Sequence, residues 1–304
     1  MTQFEVVPYG VWQTCYRARN GSIELIVTGE VGPRILRFAF IDQANELKEY
    51  PERFDKVSGD EWVNFGGHRL WHAPEVQRRT YYPDNRPVTF EQYPDFGRFI
   101  QPVEEMTGIE KSFDIAVSSD RNHARVVHRL RNHNLWDVTL AAWALSVMEG
   151  GGTAILPMPP RGEHPRDLQP ASNLTLWAYT DISDPRWVWG RKYILLRQDA
   201  NRTDPEKLGA MVTSGWVAYA RAGHCLIKMF TYQPGMTYPD MGSSAEIFTN
   251  SSMLEVETLG PLTTIPPGGM VEHIEDWYLF DDVLMPENDA EVDASVLPLV
   301  QQIQ

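Results

Sequence analysis

Short runs of alternating apolar and polar residues occur along most of the chain, and glycine, proline, asparagine and aspartate separate them. Residues 111–119 (KSFDIAVSS) and 124–132 (ARVVHRLRN) alternate in this way on either side of a polar turn. Alternation with a period of two residues indicates β-strands with one buried face. We therefore predict a hairpin here, a second hairpin over residues 215–230 that turns at Ala222-Gly223, and two strands within residues 22–40.

One longer run, residues 138–148 (VTLAAWALSVM), is almost continuously apolar. This pattern is typical of a strand that is buried on both faces, although a helix fits it as well. Strand-like runs dominate the rest of the chain, and 22 glycines and 22 prolines supply turns. The sequence thus predicts an all-β fold, a large antiparallel β-sandwich. No repeat or composition shift divides the chain, so we expect one domain over residues 1–304, with residues 283–304 as a peripheral acidic tail or short helix.

Composition narrows the classes of ligand. The net charge of −14 argues against a nucleic-acid surface, which needs clustered lysine and arginine. Ten tryptophans, twelve tyrosines and twelve phenylalanines offer flat faces that stack on sugars.

Two cysteines, Cys15 and Cys225, form neither a disulfide framework nor a zinc pattern. Without a signal peptide or an apolar run long enough to span a membrane, we expect a cytoplasmic protein with no membrane partner. We expect no cofactor and no metal, and the oligomeric state stays open.

The segment 66–75 (GGHRLWHAPE) is unusually rich in functional groups. His68 and His72 are four residues apart, a spacing that would place both on one face of a helix as a metal pair. The paired glycines before them and the proline after them disfavour a helix. We therefore expect a loop or a strand edge, and the metal pair is the weakest interpretation of the segment.

Two other interpretations of this segment stay open. In the first, Arg69 and Glu75 pair locally in a structural loop while Trp71 covers the sheet. In the second, the segment lines a polar cleft in which Arg69 and His68 donate hydrogen bonds to ligand hydroxyls and Trp71 provides a stacking surface.

A second group of polar residues lies in residues 238–262. Glu255 and Glu257 are two residues apart, so both project from the same face of a strand. Two carboxylates on one face repel each other, which can raise the pKa of one of them and suit it to acid–base chemistry. Asp240 and Glu246 lie shortly upstream and add to the acidic character. A solvent-facing strand is the alternative interpretation.

The sequence lacks the G-x-S-x-G, Walker, G-x-G-x-x-G and H-E-x-x-H motifs. Their absence argues against serine hydrolases, P-loop nucleotide enzymes, Rossmann dehydrogenases and zinc proteases.

The order of VGPRILRF, GGHRLWHAPE, LRNHNLWDVTLAAWALSVMEGGG, LEVETLGPL and IPPGGMVEHIEDWYL resembles the galactose mutarotase-like superfamily over roughly residues 20–282. It is most similar to a bacterial branch classed as a domain of unknown function. The resemblance implies a large antiparallel β-sandwich, a supersandwich, that binds carbohydrate.

The resemblance also implies roles for individual residues. In the aldose 1-epimerases of this superfamily, a late glutamate takes the proton of the anomeric hydroxyl and a histidine protonates the ring oxygen. Glu255 matches the position of that base best, with Glu257 as its neighbour, and His68 is similar to an early histidine that binds the sugar. The mid-chain acid histidine has no counterpart here, because the corresponding stretch offers Trp143 and Ser146.

The leading hypothesis is therefore a carbohydrate-active protein with an aldose-1-epimerase-like cleft. Glu255 or Glu257 would act as the base and His68 as the acid or as a sugar ligand. Six further residues are predicted to bind the substrate, namely Arg69, Trp71, His72, Glu75, Asp240 and Glu246. A carbohydrate-binding protein without turnover is the second hypothesis. A sugar lyase or hydrolase that uses Glu255 with Glu75 is the third.

Overall fold

The protein consists of two large antiparallel β-sheets with a few short helices at their margins, as seen in a computed structural model that describes all 304 residues. The strands are β1 (Glu5–Tyr9), β2 (Trp12–Arg19), β3 (Ile23–Thr28), β4 (Arg34–Phe40), β5 (His68–Ala73), β6 (Thr89–Gln92), β7 (Gly97–Ile100), β8 (Ile109–Val117), β9 (His123–Asn132), β10 (Val138–Met148), β11 (Thr153–Pro157), β12 (Leu174–Leu176), β13 (Trp187–Trp189), β14 (Tyr193–Arg197), β15 (Glu206–Ala210), β16 (Trp216–Arg221), β17 (His224–Phe230), β18 (Ala245–Thr249), β19 (Leu254–Leu259), β20 (Thr263–Ile265) and β21 (Met270–Phe280). The helices are α1 (Gln77–Thr80), α2 (Pro239–Gly242), α3 (Asp289–Ser295) and α4 (Leu297–Ile303), with a 3-10 turn at Pro51–Arg53.

The first sheet has eleven strands in the order β1-β2-β3-β4-β5-β10-β19-β18-β15-β12, with β20 paired to one end of β10. The second has ten strands in the order β13-β14-β11-β16-β17-β21-β9-β8-β7-β6. The predicted antiparallel β-sandwich is thus confirmed. Its main apolar core contains residues of both sheets, and the ring of Phe38 in the first sheet meets Trp277 of the second at 5.4 Å between centroids.

The elements predicted from alternation are present. Residues 22–40 contain β3 and β4, and the hairpin predicted over residues 111–132 is β8–β9, which begins two residues earlier, at Ile109. The turn of the hairpin β16–β17 has positive φ at both central residues, 50° at Ala222 and 88° at Gly223, which suits the twist of two-residue hairpins. The apolar run at 138–148 is the strand β10, buried from Leu140 onwards, and not a helix.

The segment 66–75 is an internal strand, and the expectation of a loop or strand edge was wrong. β5 lies between β4 and β10, and all six of its residues are buried. The preceding glycines bring the chain close to its neighbours. A Cβ on Gly66 would lie 2.0 Å from the carbonyl oxygen of Lys48, and one on Gly67 would lie 2.2 Å from that of Ile35, and both glycines have positive φ. The glycines that disfavour a helix therefore allow the backbone to approach its neighbours closely and to enter the middle of the sheet as β5.

The last residues of the chain form α3 and α4, which pack on the outer side of the second sheet. Asn288 caps α3, because its side chain accepts hydrogen bonds from the backbone N–H groups of Ala290 and Glu291. Val292, Val296 and Val300 are buried in a second apolar cluster beneath these helices. None of the helices has the length and apolar character that a membrane crossing requires.

Candidate functional site

Successive residues of β5 point to opposite faces of the eleven-stranded sheet, since side chains alternate along a strand. Leu70 belongs to the core between the sheets, and His68 contacts the second sheet there. Arg69 and Trp71 point to the outer face, where they line a cavity. Strand β5 therefore contributes one set of residues to the core and another to the outer face.

The floor of that cavity is formed by β5, β10 and β19, with β18 and β15 beside them. Arg69 pairs across β10 with Leu145, which in turn pairs with Glu257 of β19. Directly paired residues share a face, so the antiparallel register brings Arg69 and Glu257 into one row. One row further along, Glu255 lies beside Phe248 of β18, which is paired with Lys207 of β15. Thus Glu255 and Glu257 do share one face, as their spacing predicts.

Arg69 and Glu255 form a buried ion pair on this floor, with Arg69 Nη2 3.0 Å from Glu255 Oε1. The guanidinium also lies over the indole of Trp71, 4.3 Å from the ring centroid, and within 5.4 Å of that of Trp62. Arg69 is 3% exposed and Trp71 is 4% exposed. Nevertheless, Arg69 Nε and Nη1 and the indole nitrogens of Trp71 and Trp62 have no hydrogen-bond partner in the protein. Four buried donors therefore remain free beside one carboxylate.

A second buried cation lies deeper in the floor. Lys207 Nζ is 3.0 Å from Glu257 Oε2 and 2.8 Å from Glu246 Oε2. The indole N–H of Trp143 donates to Glu257 Oε2 at 2.7 Å. Burial alone would lower the pKa of Lys207, but the two carboxylates outweigh it and raise that pKa well above its usual range. Lys207 therefore stays an ammonium group, held by hydrogen bonds to Glu257 and by an ion pair with Glu246.

Glu255 differs from Glu257 in its environment. Burial raises the pKa of Glu255 above that of an ordinary glutamate, Arg69 opposes this rise, and the neighbouring charge of Glu257 adds to it. Glu255 lines the cavity, whereas Glu257 is fully buried beneath it. Of the two predicted bases, Glu255 is thus the one that can reach a ligand.

The cavity has two connected parts that share Trp62, Glu75 and Tyr81. The inner chamber, of about 200 Å³, is lined by the floor residues, among them Arg69 and Glu255. The outer chamber, of about 1050 Å³, opens above it. Together they form one cleft, which we call the outer-face cleft, and its dimensions suit a small molecule.

Two of the predicted binding residues lie at the mouth of this cleft. Glu75 accepts a hydrogen bond from the hydroxyl of Tyr81 at 2.6 Å and lines both chambers. Asp240 lines the outer chamber from a turn in which both Asp240 and Met241 have positive φ. Glu246, in contrast, lines neither chamber; it lies on the same face of the sheet, paired with Glu257, and its side chain is fully buried next to Lys207. Residues 66–75 and 238–257 therefore meet at one cleft, as neighbours within a single sheet.

His68 and His72 do not face the cleft, because they project from the opposite face of β5. His72 is buried with Glu104, at 3.7 Å between His72 Nε2 and Glu104 Oε2. His68 Nδ1 lies 2.9 Å from Ser146 Oγ, and its Nε2 lies 2.7 Å from the Nε2 of His128. Burial, together with the neighbouring charges, lowers the pKa of His68 well below the usual range. Neither histidine is therefore placed to act on a ligand in the cleft.

The core cluster around His68 contains the residue types that bind zinc. His68 Nε2, His128 Nε2 and an oxygen of Glu275 lie within 4.8 Å of one another. The protein already supplies partners for these atoms, since the two imidazoles bond each other and Trp277 Nε1 donates to Glu275 at 2.8 Å. Lys228 Nζ lies 2.7 Å from Glu275, and its charge opposes a bound cation. We interpret the cluster as a hydrogen-bonded network that ties the two sheets together.

The sequence interpretation missed several residues of the cleft. Lys207 is the only cationic residue of the short, fully buried strand β15 (EKLGA), where a lysine signals a buried charge with partners. Trp143 was noted only as a replacement for a histidine, although it alternates with core residues of β10 and so points to the other face. Trp62, Trp177 and Tyr179 come from segments without regular structure, and no pattern in the sequence points to them.

Comparison with known proteins gives a clear result for the fold. The sequence matches no protein-family model and no curated protein. A galactose mutarotase-like protein from Lactobacillus casei matches the structure with a TM-score of 0.59 at 9% sequence identity, covering 88% of this chain and 100% of that chain. A galactose mutarotase-like protein from Clostridium acetobutylicum matches with a TM-score of 0.54 at 10% identity, over 92% and 98% of the two chains.

A galactose mutarotase related enzyme from Lactobacillus acidophilus is similar to the same extent, with a TM-score of 0.55 at 9% identity over 90% of this chain and 100% of that chain. At identities this low, the similarity shows the fold alone. The protein thus has the galactose mutarotase-like fold that the sequence resemblance implied.

Proposed function

We propose that the protein binds a carbohydrate in the outer-face cleft. One observation carries this proposal. On the floor of the inner chamber, buried donors of Arg69 and Trp71 have no partner in the protein, and the carboxylate of Glu255 lies next to them. Buried donors without partners are costly, and a ligand rich in hydroxyl groups would supply acceptors for the donors and a donor for the carboxylate.

The aromatic residues of the cleft support the same ligand. Trp62, Trp71 and Tyr81 contact one another with centroid distances of 4.8–5.3 Å and present ring faces and edges to the chambers. The C–H face of a pyranose packs well on such rings, while its hydroxyl groups need the fixed polar groups beside them. The fold neighbours named for mutarotases are in line with a sugar ligand.

Titration of the purified protein with a panel of monosaccharides tests this proposal, with intrinsic tryptophan fluorescence and calorimetry as readouts. We expect saturable binding that Arg69→Met weakens at least tenfold. Arg86→Met serves as a matched control, because Arg86 is exposed and pairs only with the exposed Glu105. Absence of saturable binding by every sugar of the panel would refute the proposal.

Exchange of sugar anomers is a second candidate function, and the position of Glu255 favours it. The carboxylate lines the inner chamber, and its raised pKa makes it a stronger base than an ordinary glutamate. It is also the residue that the sequence resemblance matches to the catalytic base of aldose 1-epimerases. Such a base would take the proton of the anomeric hydroxyl and so start ring opening.

The inner chamber, where Glu255 lies, offers no comparable acid, and for this reason binding ranks first. The ammonium group of Lys207 is held by Glu246 and Glu257, and its raised pKa makes it a poor proton donor. Burial raises the pKa of Tyr179, at the edge of the cleft, to about 12. Ring opening at neutral pH would therefore depend mainly on the base and proceed slowly.

Saturation-transfer NMR on an equilibrated sugar measures anomer exchange directly. We expect Glu255→Gln to lower any protein-dependent rate by about 10²-fold or more, because the amide cannot accept the proton. Glu163→Gln is the control, since Glu163 is exposed and lines neither chamber of the cleft. Exchange at the buffer rate with the wild-type protein would exclude this candidate and leave the binding proposal intact.

A further inference from the structure

We propose that the ligand of the cleft carries a positively charged amino group, which binds in the outer chamber while its hydroxyl groups enter the inner chamber. This inference rests on the proposed carbohydrate binding and narrows it to amino sugars. It follows from the charges, the aromatic residues and the free donors that line the two chambers.

The outer chamber is strongly acidic. The carboxylates of Asp60, Glu61, Glu75 and Asp240 line it, and Arg78 is the single cationic side chain among the lining residues. None of these four carboxylates forms an ion pair with a lysine, arginine or histidine of the protein, in contrast to those of the floor. A cationic group of the ligand would reduce their mutual repulsion.

Aromatic rings complete the outer chamber. Trp62, Tyr81 and Trp177 stand among its carboxylates. An ammonium group is attracted to the face of an aromatic ring, and most strongly to that of tryptophan. The floor already shows this preference, because Lys207 Nζ lies 4.7 Å from the ring centroids of both Trp143 and Trp177. Carboxylates and aromatic rings together are the groups that recognise an alkylammonium ion.

The inner chamber sets the orientation of the ligand. Arg69 and Trp71 are more than nine-tenths buried, and their free donors need acceptors. An ammonium group has no acceptor to offer these donors, whereas hydroxyl oxygens have, so the hydroxyl end of the ligand binds at Glu255 and Arg69. The amino group then extends towards the shared residues Trp62 and Glu75 and into the outer chamber.

The same arrangement disfavours sugar phosphates and sugar acids. A phosphate group is bound by arginine or lysine side chains whose charges are available. In the cleft, Arg69 is neutralised by Glu255, and Lys207 by Glu246 and Glu257. An anionic ligand would meet the four carboxylates of the outer chamber at its entrance.

Calorimetric titrations that compare closely matched sugars test this inference. Glucosamine, galactosamine and mannosamine would each be compared with the neutral parent hexose, the N-acetylated form and the hexose 6-phosphate, at pH 7 in the presence of EDTA. We expect at least one amino sugar to bind about tenfold more tightly than its neutral counterparts, with no measurable binding of the phosphate. Raising the salt from 50 to 500 mM should reduce this preference.

The double variant Glu75→Gln/Asp240→Asn provides the matched test of the chamber. We expect it to bring the affinity ratio of amino sugar to neutral sugar close to one, whereas Glu163→Gln, at an exposed residue that lines neither chamber, should leave the ratio as in wild type. Circular dichroism would establish that the double variant is folded, and the single variants Asp60→Asn and Glu61→Gln would replace it if it is not.

The outcomes separate the two proposals. If neutral hexoses bind as tightly as amino sugars, or if a 6-phosphate binds more tightly, the inference is wrong and carbohydrate binding stands. If no sugar binds at all, the proposed function fails and the inference fails with it. An amino-sugar preference that the double variant and salt both remove supports both.

Discussion

Arg69 and Glu255 are 186 positions apart in the sequence, yet their side chains meet at 3.0 Å on the floor of the cleft. The contact arises because β5 and β19 both pair with β10, one on each side. The pair contributes both to the stability of the cleft and to its capacity to bind a ligand. Arg69 stabilises the ionised form of a buried carboxylate, while its remaining donors are free to bind a ligand.

Removal of the guanidinium should destabilise the protein. In Arg69→Met the carboxylate of Glu255 stays buried without its partner, and we expect the free energy of unfolding to fall by about 3–5 kcal/mol at pH 8. Without Arg69, the pKa of the buried Glu255 carboxyl rises further, and lowering the pH protonates it and removes the unpaired charge. The loss in the free energy of unfolding should therefore shrink as the pH is lowered towards 5. Urea denaturation at the two pH values measures both effects. A loss in the free energy of unfolding at pH 8 that is smaller than that of the exposed control Arg86→Met would contradict this account.

The indole N–H of Trp71 should contribute to binding separately from its ring. Trp71→Phe keeps an aromatic ring against Arg69 but removes a free donor of the inner chamber. We expect sugar affinity to fall by about fivefold, the value of one hydrogen bond, since a bond of this kind contributes about 1 kcal/mol. Calorimetry with the tightest-binding sugar measures the change. Unchanged affinity would show that the free nitrogen does not contact the ligand.

Lys207 should be essential for stability because it forms ion pairs with two buried carboxylates at once. Lys207→Met leaves the buried carboxylates of Glu246 and Glu257 facing each other without a cation. We expect a loss of about 3–5 kcal/mol or failure to fold at neutral pH. The triple variant Lys207→Met/Glu246→Gln/Glu257→Gln, which removes all three charges, should recover much of the loss in thermal denaturation. If it recovers none, packing and not charge determines the role of Lys207.

The core histidines should make the protein sensitive to acid. Burial lowers the pKa of His128 to about 4 and that of His273 to about 3, from about 6.5 in an unfolded chain. Both are neutral in the folded protein, so their contribution to stability is complete above pH 6.5 and is lost as the pH falls from 6.5 towards 4. We expect the Tm to drop across this window.

A matched pair of variants tests whether the buried histidines cause that drop. His128→Gln should flatten the pH dependence of the Tm between 6.5 and 4, whereas His133→Gln should not, because His133 is exposed at the turn after β9. An unaltered slope in His128→Gln would assign the acid sensitivity to other groups.

Much of the fold could be predicted because alternation and turn residues mark antiparallel strands directly. The continuously apolar run of residues 138–148 indicated a strand buried on both faces but fitted a helix as well, and the structure shows the strand β10. The location of β5 could not be predicted in the same way. The glycines before it and the proline after it suggested a loop or a strand edge, and only the structure reveals that His68 and His72 have polar partners within the core.

The candidate site was predictable in part for a related reason. Once residues 68–73 are known to form a strand, His68 and Arg69 must point to opposite faces, so they cannot both line one cleft. The spacing of Glu255 and Glu257 placed them on one face, but the sequence could not say which of the two reaches the cavity. Lys207 joins the site through the order of strands β19, β18 and β15, which is a long-range property that local patterns do not encode.

The three central strands of the floor have consequences for how such a cleft can diversify. Each of them has one face in the core and the other beneath the ligand, so a residue there can seldom change without disturbing the packing or the register. The outer chamber is built differently, because Asp60, Glu61, Trp177 and Asp240 come from connecting segments. Connections tolerate substitution far better than internal strands. Among proteins that share this floor, ligand preference should therefore vary through these segments, and exchanging them between such proteins should transfer the preference while leaving the scaffold intact.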